Sequence, residues 1–210
     1  MLETLPLHHI ARVVSLLSRG QVVAYPTGTS YGLGVNALDQ RALEQLSALK
    51  QRPEDKTYTV LLPEQHPERF VAWTDEERQV FAALRDRPLT LLVNTTDALQ
   101  HLAKEGRVGV RTPDHPFTRE LVTLTTFPVT ATSANTSGET SACTLAEVEA
   151  LAKEIRIYAV DGGSLVRCLP STVAALENGR WRIVRNGDVT TQELEDARTS
   201  AHSPSSAAVP

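Results

Sequence analysis

The sequence predicts an α/β fold: a single domain with a twisted, mixed β-sheet and flanking helices. Three observations predict it. Amphipathic stretches at helical spacing alternate with short apolar runs rich in valine, leucine and isoleucine. The chain closes on two strand-like runs joined by a Glu177-Asn-Gly-Arg180 turn. No internal repeat or linker-like stretch interrupts the series. Alternation places helices on the faces of a sheet, and the closing hairpin adds antiparallel pairing, so the sheet is mixed.

The elements follow in order. A first helix is predicted from about Leu7 to Arg19, because Ile10, Val13, Val14 and Leu17 fall on one face and Gly20 supplies a stop. Gln21 to Tyr25 reads as a buried strand ended by Pro26. A second helix is predicted from Gln40 to Leu49, with Asp39 as N-cap and Ala42, Leu43, Leu46 and Leu49 facing inward. Pro53 forbids its continuation. Strand character returns at Tyr58 to Leu62. Thr74-Asp-Glu-Glu77 is a capping box that opens a helix to about Leu84. Leu89 to Val93 and Val108 to Arg111 read as strands, and Phe117 to Leu124 as a helix. Val129 to Thr132 is a short strand leading into Ser133. Thr144-Leu-Ala-Glu147 is a further capping box, for a helix to about Ile155. Ile157 to Val160 is a strand, and Thr172 to Leu176 with Trp181 to Val184 form the hairpin. Residues 1–190 are expected to make the one domain. Residues 191–210, Ser-, Ala- and Pro-rich from 199, are expected to be a disordered tail.

Composition bounds the function. The 210 residues are 41% apolar and 22% charged, as in an ordinary globular protein. The formal net charge of −4 excludes nucleic-acid binding driven by bulk charge and leaves room only for a local basic patch. The sequence has no apolar run long enough to span a bilayer, about 18 residues, and its N-terminus lacks the basic start and apolar stretch of a signal peptide. The expectation is a cytoplasmic protein with no membrane contact. Cys143 and Cys168 make no disulfide framework. Histidines at 8, 9, 66, 101, 115 and 202 include no His-x-x-x-His pair, so no protein-held metal is expected.

Chemistry concentrates in short polar islands at the ends of the strands. They are Tyr25-Pro-Thr-Gly-Thr-Ser-Tyr-Gly-Leu-Gly34, Lys50-Gln-Arg52, Arg111-Thr-Pro-Asp-His115, Ser133-Ala-Asn-Thr-Ser-Gly138, Pro170-Ser-Thr-Val173 and Arg185-Asn-Gly187. Lys50, Arg52 and Lys56 leave a helix C-terminus, where cations are mildly favoured; they suit either a solvated helix end or a polyphosphate clamp. Ser133 and Asn135, two residues apart past a strand end, can address one ligand or simply bond their own backbone. Glycines 28, 32 and 34 permit tight turns and exposed amides around Thr27 and Thr29, but match neither a Walker A loop nor the dinucleotide fingerprint. His115 suits a helix cap, Ser171 a turn, Arg185 a surface cation. Taken together, the cations and hydroxyls point to an anionic, phosphate-bearing ligand.

With these residues on the page, the chain resembles the YrdC-type threonylcarbamoyl-AMP synthase family over roughly residues 8–188. The resemblance rests on the 25–34 loop, Leu49-Lys-Gln-Arg-Pro53, the Arg111-x-Pro-Asp-His115 segment, Ser133-Ala-Asn-x-Ser-Gly138, Pro-Ser-Thr-Val and Arg185-x-Gly187. Its Lys-x-Arg and Ser-x-Asn pair favours the synthase branch over the YciO-like one. The resemblance implies a nucleotidyltransferase that makes threonylcarbamoyl-AMP and pyrophosphate from L-threonine, bicarbonate and ATP. Partner proteins would then carry the threonylcarbamoyl group to an adenosine of tRNA. By similarity Lys50, Arg52, Lys56, Arg111, Asn135, Cys143 and Arg185 would hold ATP, with Lys50 and Arg52 catalytic. Thr29, His115, Ser133 and Ser171 would hold threonine and its carboxylated form. Magnesium would ride on the ATP phosphates.

Two positions and one stretch depart from the family pattern. Gly28 stands where an acidic residue is usual, Cys143 where threonine is common, and Arg85-Asp-Arg-Pro88 replaces a Trp-Pro-Gly-Pro stretch. The length matches the short bacterial form. Two other readings compete. One is the carbamoyl-adenylate chemistry of a related domain in hydrogenase maturation proteins, whose accompanying cysteine spacing is missing here. The other is a non-enzymatic protein binding double-stranded RNA or tRNA through Lys50, Arg52, Lys56, Arg107, Arg111 and Arg185.

Overall fold

A computed structural model describes residues 1–53, 56–152, 155–166 and 170–200 of the chain. Cys168 lies outside the described residues. The strands are β1 (Leu2–Pro6), β2 (Val22–Pro26), β3 (Tyr31–Gly34), β4 (Thr59–Leu61), β5 (Val71–Ala72), β6 (Leu89–Thr95), β7 (Arg107–Arg111), β8 (Val129–Thr130), β9 (Thr132–Ser133), β10 (Ile157–Asp161), β11 (Thr172–Glu177) and β12 (Arg180–Arg185). The α-helices are α1 (Ile10–Ser18), α2 (Gln40–Lys50), α3 (Asp75–Ala83), α4 (Pro116–Leu124), α5 (Leu145–Leu151) and α6 (Thr191–Ser200).

The mixed α/β class is as predicted, and the strands divide between two sheets. One runs β1-β10-β2-β3-β9, the other β12-β11-β6-β7-β4-β8 with β5 beside β6. β1, β10 and β2 are parallel, while β3 pairs antiparallel with both β2 and β9. In the second sheet β11 with β6 and β4 with β7 are parallel, and the other pairings are antiparallel. The single strand expected at 129–132 links the sheets. Val129–Thr130 pairs with β4, the chain steps across at Ala131, whose N–H donates to the Thr59 carbonyl at 2.7 Å, and Thr132–Ser133 pairs with β3. A seam of strand ends from both sheets results.

Each helix follows from local chemistry. The Asp39 carboxylate caps α2 by accepting from the Arg41 and Ala42 N–H groups. Thr74 with Glu77 and Thr144 with Glu147 form the two predicted capping boxes. α5 ends at Leu151, four residues short of the expected Ile155. Ile10, Val13 and Leu17 of α1 are buried with Phe117 and Leu121 of α4 against Tyr25 and Val160. A larger core holds Leu33, Leu46, Leu89, Leu91, Val110 and Trp181.

β1 precedes the first element that the sequence signals; its pairing partner is β10, more than 150 positions along the chain. One expectation is corrected. The tail expected to be disordered from 191 instead begins with α6, which packs on α3 and β12. Leu194 is 0% exposed and Ala197 7% exposed within the larger core. Burying a leucine contributes about 1.5–3 kcal/mol, which offsets the ordering cost that a polar tail could not meet.

Candidate active site

The site is built where strands of both sheets end. β2 stops at Pro26, and the turn to β3 folds on the Thr27 hydroxyl. That hydroxyl accepts from the Thr29 and Ser30 N–H groups at 3.2 and 3.3 Å and donates to the Ser30 carbonyl at 2.7 Å. The turn leaves the Thr29 hydroxyl 3.1 Å from Nη2 of Arg111, the last residue of β7. The same Nη2 donates to Asp114 Oδ2 at 2.7 Å, and the Asp114 side chain is only 1% exposed. The family resemblance places an acid at 28; in this chain glycine stands there, and the space beside it holds the Asp114 carboxylate.

Arg185 ends β12 and reaches across to the start of β11. Its Nε and Nη2 donate to the Ser171 carbonyl at 3.2 and 2.8 Å, and Nη2 donates to Ser171 Oγ at 3.0 Å. Ser171 Oγ also lies 3.1 Å from Thr90 Oγ1. The approach requires glycine at 187, since a Cβ there would overlap the Pro170 carbonyl and the Thr172 amide. Burial lowers the Arg185 pKa, and the charge of nearby Arg111 lowers it further. Two guanidiniums sharing one cleft are better balanced by an anion than by water.

α2 delivers the next cations. Lys50 is 2% exposed and donates from Nζ to the Ser133 carbonyl at 2.5 Å, the Asn135 carbonyl at 2.7 Å and Asn135 Oδ1 at 3.0 Å. Its own carbonyl accepts from Ser137 N–H at 2.9 Å. Desolvation, reinforced by Arg52 and Lys56, pushes the Lys50 pKa down to about 7. Ser133 Oγ donates to Asn135 Oδ1 at 2.5 Å, and Asn135 Nδ2 donates to the Glu139 carbonyl at 2.6 Å. After α2 the chain turns through Gln51, whose φ of 47° is left-handed, and aims Arg52 back over the Tyr58 ring at 4.3 Å. The Arg52 guanidinium donates to the Lys56 and Thr57 carbonyls, and burial lowers its pKa.

These groups wall a cleft of about 560 Å3. Of the site residues the sequence singles out, Thr29, Arg52, Lys56, Arg111, Ser133, Ser171 and Arg185 line it together. Four do not. Lys50 stands behind the wall, and Asn135 lines an adjoining cavity of about 650 Å3 that shares Glu139, Thr140 and Ser141 with the cleft; together they tie the Ser133–Ser137 turn to α2. His115 caps α4: its Nδ1 accepts from the Phe117 N–H at 3.1 Å, and burial lowers its pKa. Cys143 precedes α5, its N–H donating to Glu147 Oε2 at 2.6 Å and its carbonyl accepting from Leu165 N–H at 2.8 Å. Sequence reasoning missed Thr59, Thr90, Thr140 and Ser141, which add hydroxyls to the wall. Thr59 and Thr90 sit inside apolar strands, and nothing local distinguishes them from exposed strand threonines. Asp114 lies within a quoted island, and its spacing of three from Arg111 was the available signal.

The cleft can therefore neutralise a polyanion from several sides and hydrogen-bond a small polar substrate beside it. Among the described residues no group of three or more His, Cys, Asp or Glu side chains could hold a metal ion.

Comparison with known proteins agrees with the geometry. Residues 15–187 match the Sua5/YciO/YrdC family model, whose description reads telomere recombination. A threonylcarbamoyl-AMP synthase of Hydrogenovibrio crunogenus is 35% identical over 169 residues, covering 77% of this chain and 89% of that protein. The crystal structure of P. abyssi Sua5 complexed with L-threonine superposes with a TM-score of 0.79 at 28% identity, over 94% of this chain. This chain spans 60% of that longer one. E. coli YciO, at 20% identity, shares the fold with a TM-score of 0.78, covering 92% of this chain and 98% of that one.

Proposed function

The chain belongs to the Sua5/YciO/YrdC family, and from that premise we propose that it is a threonylcarbamoyl-AMP synthase, converting L-threonine, bicarbonate and ATP to threonylcarbamoyl-AMP and pyrophosphate. The single observation that carries the reading is the cleft in which Arg52, Lys56, Arg111 and Arg185 meet the hydroxyls of Thr29, Ser133 and Ser171. Relatives named as this synthase, and a similar protein solved with L-threonine, support it.

The chemistry matches what such a cleft supplies. The threonine amine attacks the bicarbonate carbon; the C–N bond forms as a C–O bond breaks, and the departing hydroxide takes a proton from the amine and leaves as water, giving a carbamate. A carbamate oxygen then forms a bond to the α-phosphorus as the bond from that phosphorus to the β-bridging oxygen breaks, and pyrophosphate leaves with that electron pair. Two anions must approach one another, so the protein contributes positioning and charge neutralisation. In this reading Arg111 of β7 and Arg185 of β12, two strands of one sheet, face the phosphates, with Arg52 and Lys56 closing another side. Thr29, Ser133 and Ser171 hold threonine. Lys50 and Asn135 keep the Ser133 turn in place. His115 and Cys143 act through the elements they start. Magnesium enters as the Mg–ATP complex, held by the phosphates.

We place the reaction in the cytoplasm, where partner proteins would transfer the threonylcarbamoyl group to tRNA. No helix among the described residues is long and apolar enough to cross a membrane. A purely RNA-binding role fits less well, because Arg111 is sunk to 11% side-chain exposure among hydroxyls and not spread on an open face.

The test is pyrophosphate release from Mg–ATP and bicarbonate, with and without L-threonine. Threonine-dependent release is the expected result. Binding of ATP without threonine-dependent release would sink the synthase reading.

A further inference from the structure

Arg111 is held in an unusual way. Among the described residues its three side-chain hydrogen bonds all leave from one nitrogen: Nη2 donates to Asp114 Oδ2 at 2.7 Å, Thr29 Oγ1 at 3.1 Å and Thr27 Oγ1 at 3.5 Å. The pair is monodentate, and Arg111 Nε and Asp114 Oδ1 are both buried without a partner among the described residues. The carboxylate and Thr29 thus grip one corner of the fork, while the rest of a guanidinium that lines the cleft keeps its donors uncommitted. The grip depends on position 28. A Cβ there would stand 2.6 Å from Asp114 Oδ2, 2.9 Å from Cγ and 3.1 Å from the Asp114 carbonyl oxygen. Only glycine lets the 27–29 turn lie on the carboxylate.

We infer that Asp114 is a positioning residue for Arg111 and, through it, for the Thr29 hydroxyl, and that Gly28 is the steric condition for that role. The inference rests on the synthase reading of the cleft. Asp114 touches no substrate. It fixes the orientation of a cation and offsets part of the repulsion between Arg111 and Arg185. Without it, Arg111 swings away from Thr29. Mg–ATP still meets a cleft that is more positive by one charge. The threonine subsite is then damaged more than the ATP subsite.

The test compares wild type, Asp114→Asn, Asp114→Ala, Gly28→Ala and the Asp114→Ala/Gly28→Ala double variant. The measurements are steady-state pyrophosphate release, calorimetric titration with L-threonine and thermal melting. Asp114→Asn keeps shape and removes charge; it should raise the threonine KM about tenfold and the ATP KM by clearly less, because Arg52, Lys56 and Arg185 still face the phosphates. Gly28→Ala should show the same split. The double variant should match Asp114→Ala within about twofold, because the two closest contacts of a Cβ at 28, to Oδ2 and Cγ, go with the carboxylate and leave the 3.1 Å contact to the carbonyl oxygen. A lowered melting temperature with both KM values unchanged would mean a structural role only and would overturn the inference. Additive effects of the two positions would overturn the part assigned to Gly28. An active wild type with an Asp114→Asn variant of unchanged threonine KM removes this inference alone. A wild type that binds neither substrate removes the synthase reading and this inference together.

Discussion

Lys50 and Arg52 are two residues apart and read alike in the sequence, yet they answer to different physics. Arg52 is half-buried on the cleft wall and bonds carbonyls of its own loop. Lys50 is buried and supplies the partner for two backbone carbonyls and one amide oxygen. Leaving a buried acceptor unsatisfied costs about 1–3 kcal/mol. Arg52→Ala should therefore lower threonine-dependent turnover about ten- to a hundredfold with little change in urea midpoint. Lys50→Ala should lower both turnover and midpoint. Equal midpoints for the two variants would contradict this division.

Lys50 also carries a pH signature. Its pKa in the folded chain is about 7 against an ordinary 10.5, so between those values the unfolded chain holds a proton that the folded chain does not. Stability from this residue therefore rises with pH through that window, and below it the full cost of the buried charge is present. Urea unfolding at pH 7.5 and 9.5 should show a stability difference between wild type and Lys50→Met that moves in favour of wild type at the higher pH. A difference independent of pH would refute the lowered pKa.

At the scale of elements, strand ends and the turns after them determine the site. Among the described glycines the tightest surroundings are at Gly187, where β12 has ended and the chain passes against the Pro170–Thr172 backbone. A methyl there meets main chain, which cannot swing aside as a side chain can. Gly187→Ala should cost roughly 1–3 kcal/mol or more by urea unfolding and should lower turnover by moving Ser171 away from Arg185. A variant of wild-type stability would mean that the two segments separate freely. Helix starts at 39, 74 and 144 were legible because their caps are local, two to three residues in reach. The end of α5 was less legible, because nothing in the sequence between 151 and 155 forces a stop.

At the scale of the whole molecule, α6 closes the larger core and joins the last strand to α3. Arg198 adds ion pairs to Glu76 at 3.6 Å and Glu195 at 3.2 Å, exposed enough to count for little. The packing is Leu194. Leu194→Ala should lower stability by about 2–5 kcal/mol, seen as a lower urea midpoint, while the KM for threonine stays unchanged because α6 contributes nothing to the cleft wall. No loss of stability would return this segment to the status of a tail.

By itself the sequence determined the α/β class, most of the helices and strands, and the set of cations and hydroxyls from which the cleft is made. Those depend on period, caps and residue chemistry, which act over a few positions. Tertiary structure decided what lies far apart in the chain: that β1 pairs with β10, that α6 is core and not tail, and that the 129–133 strand links two sheets. It also decided which signature residues face the cleft and which stand behind it, Lys50 above all. Whether a side chain meets substrate or backbone depends on contacts such as Lys50 with Ser133, 83 residues away, and no local pattern encodes such a distance.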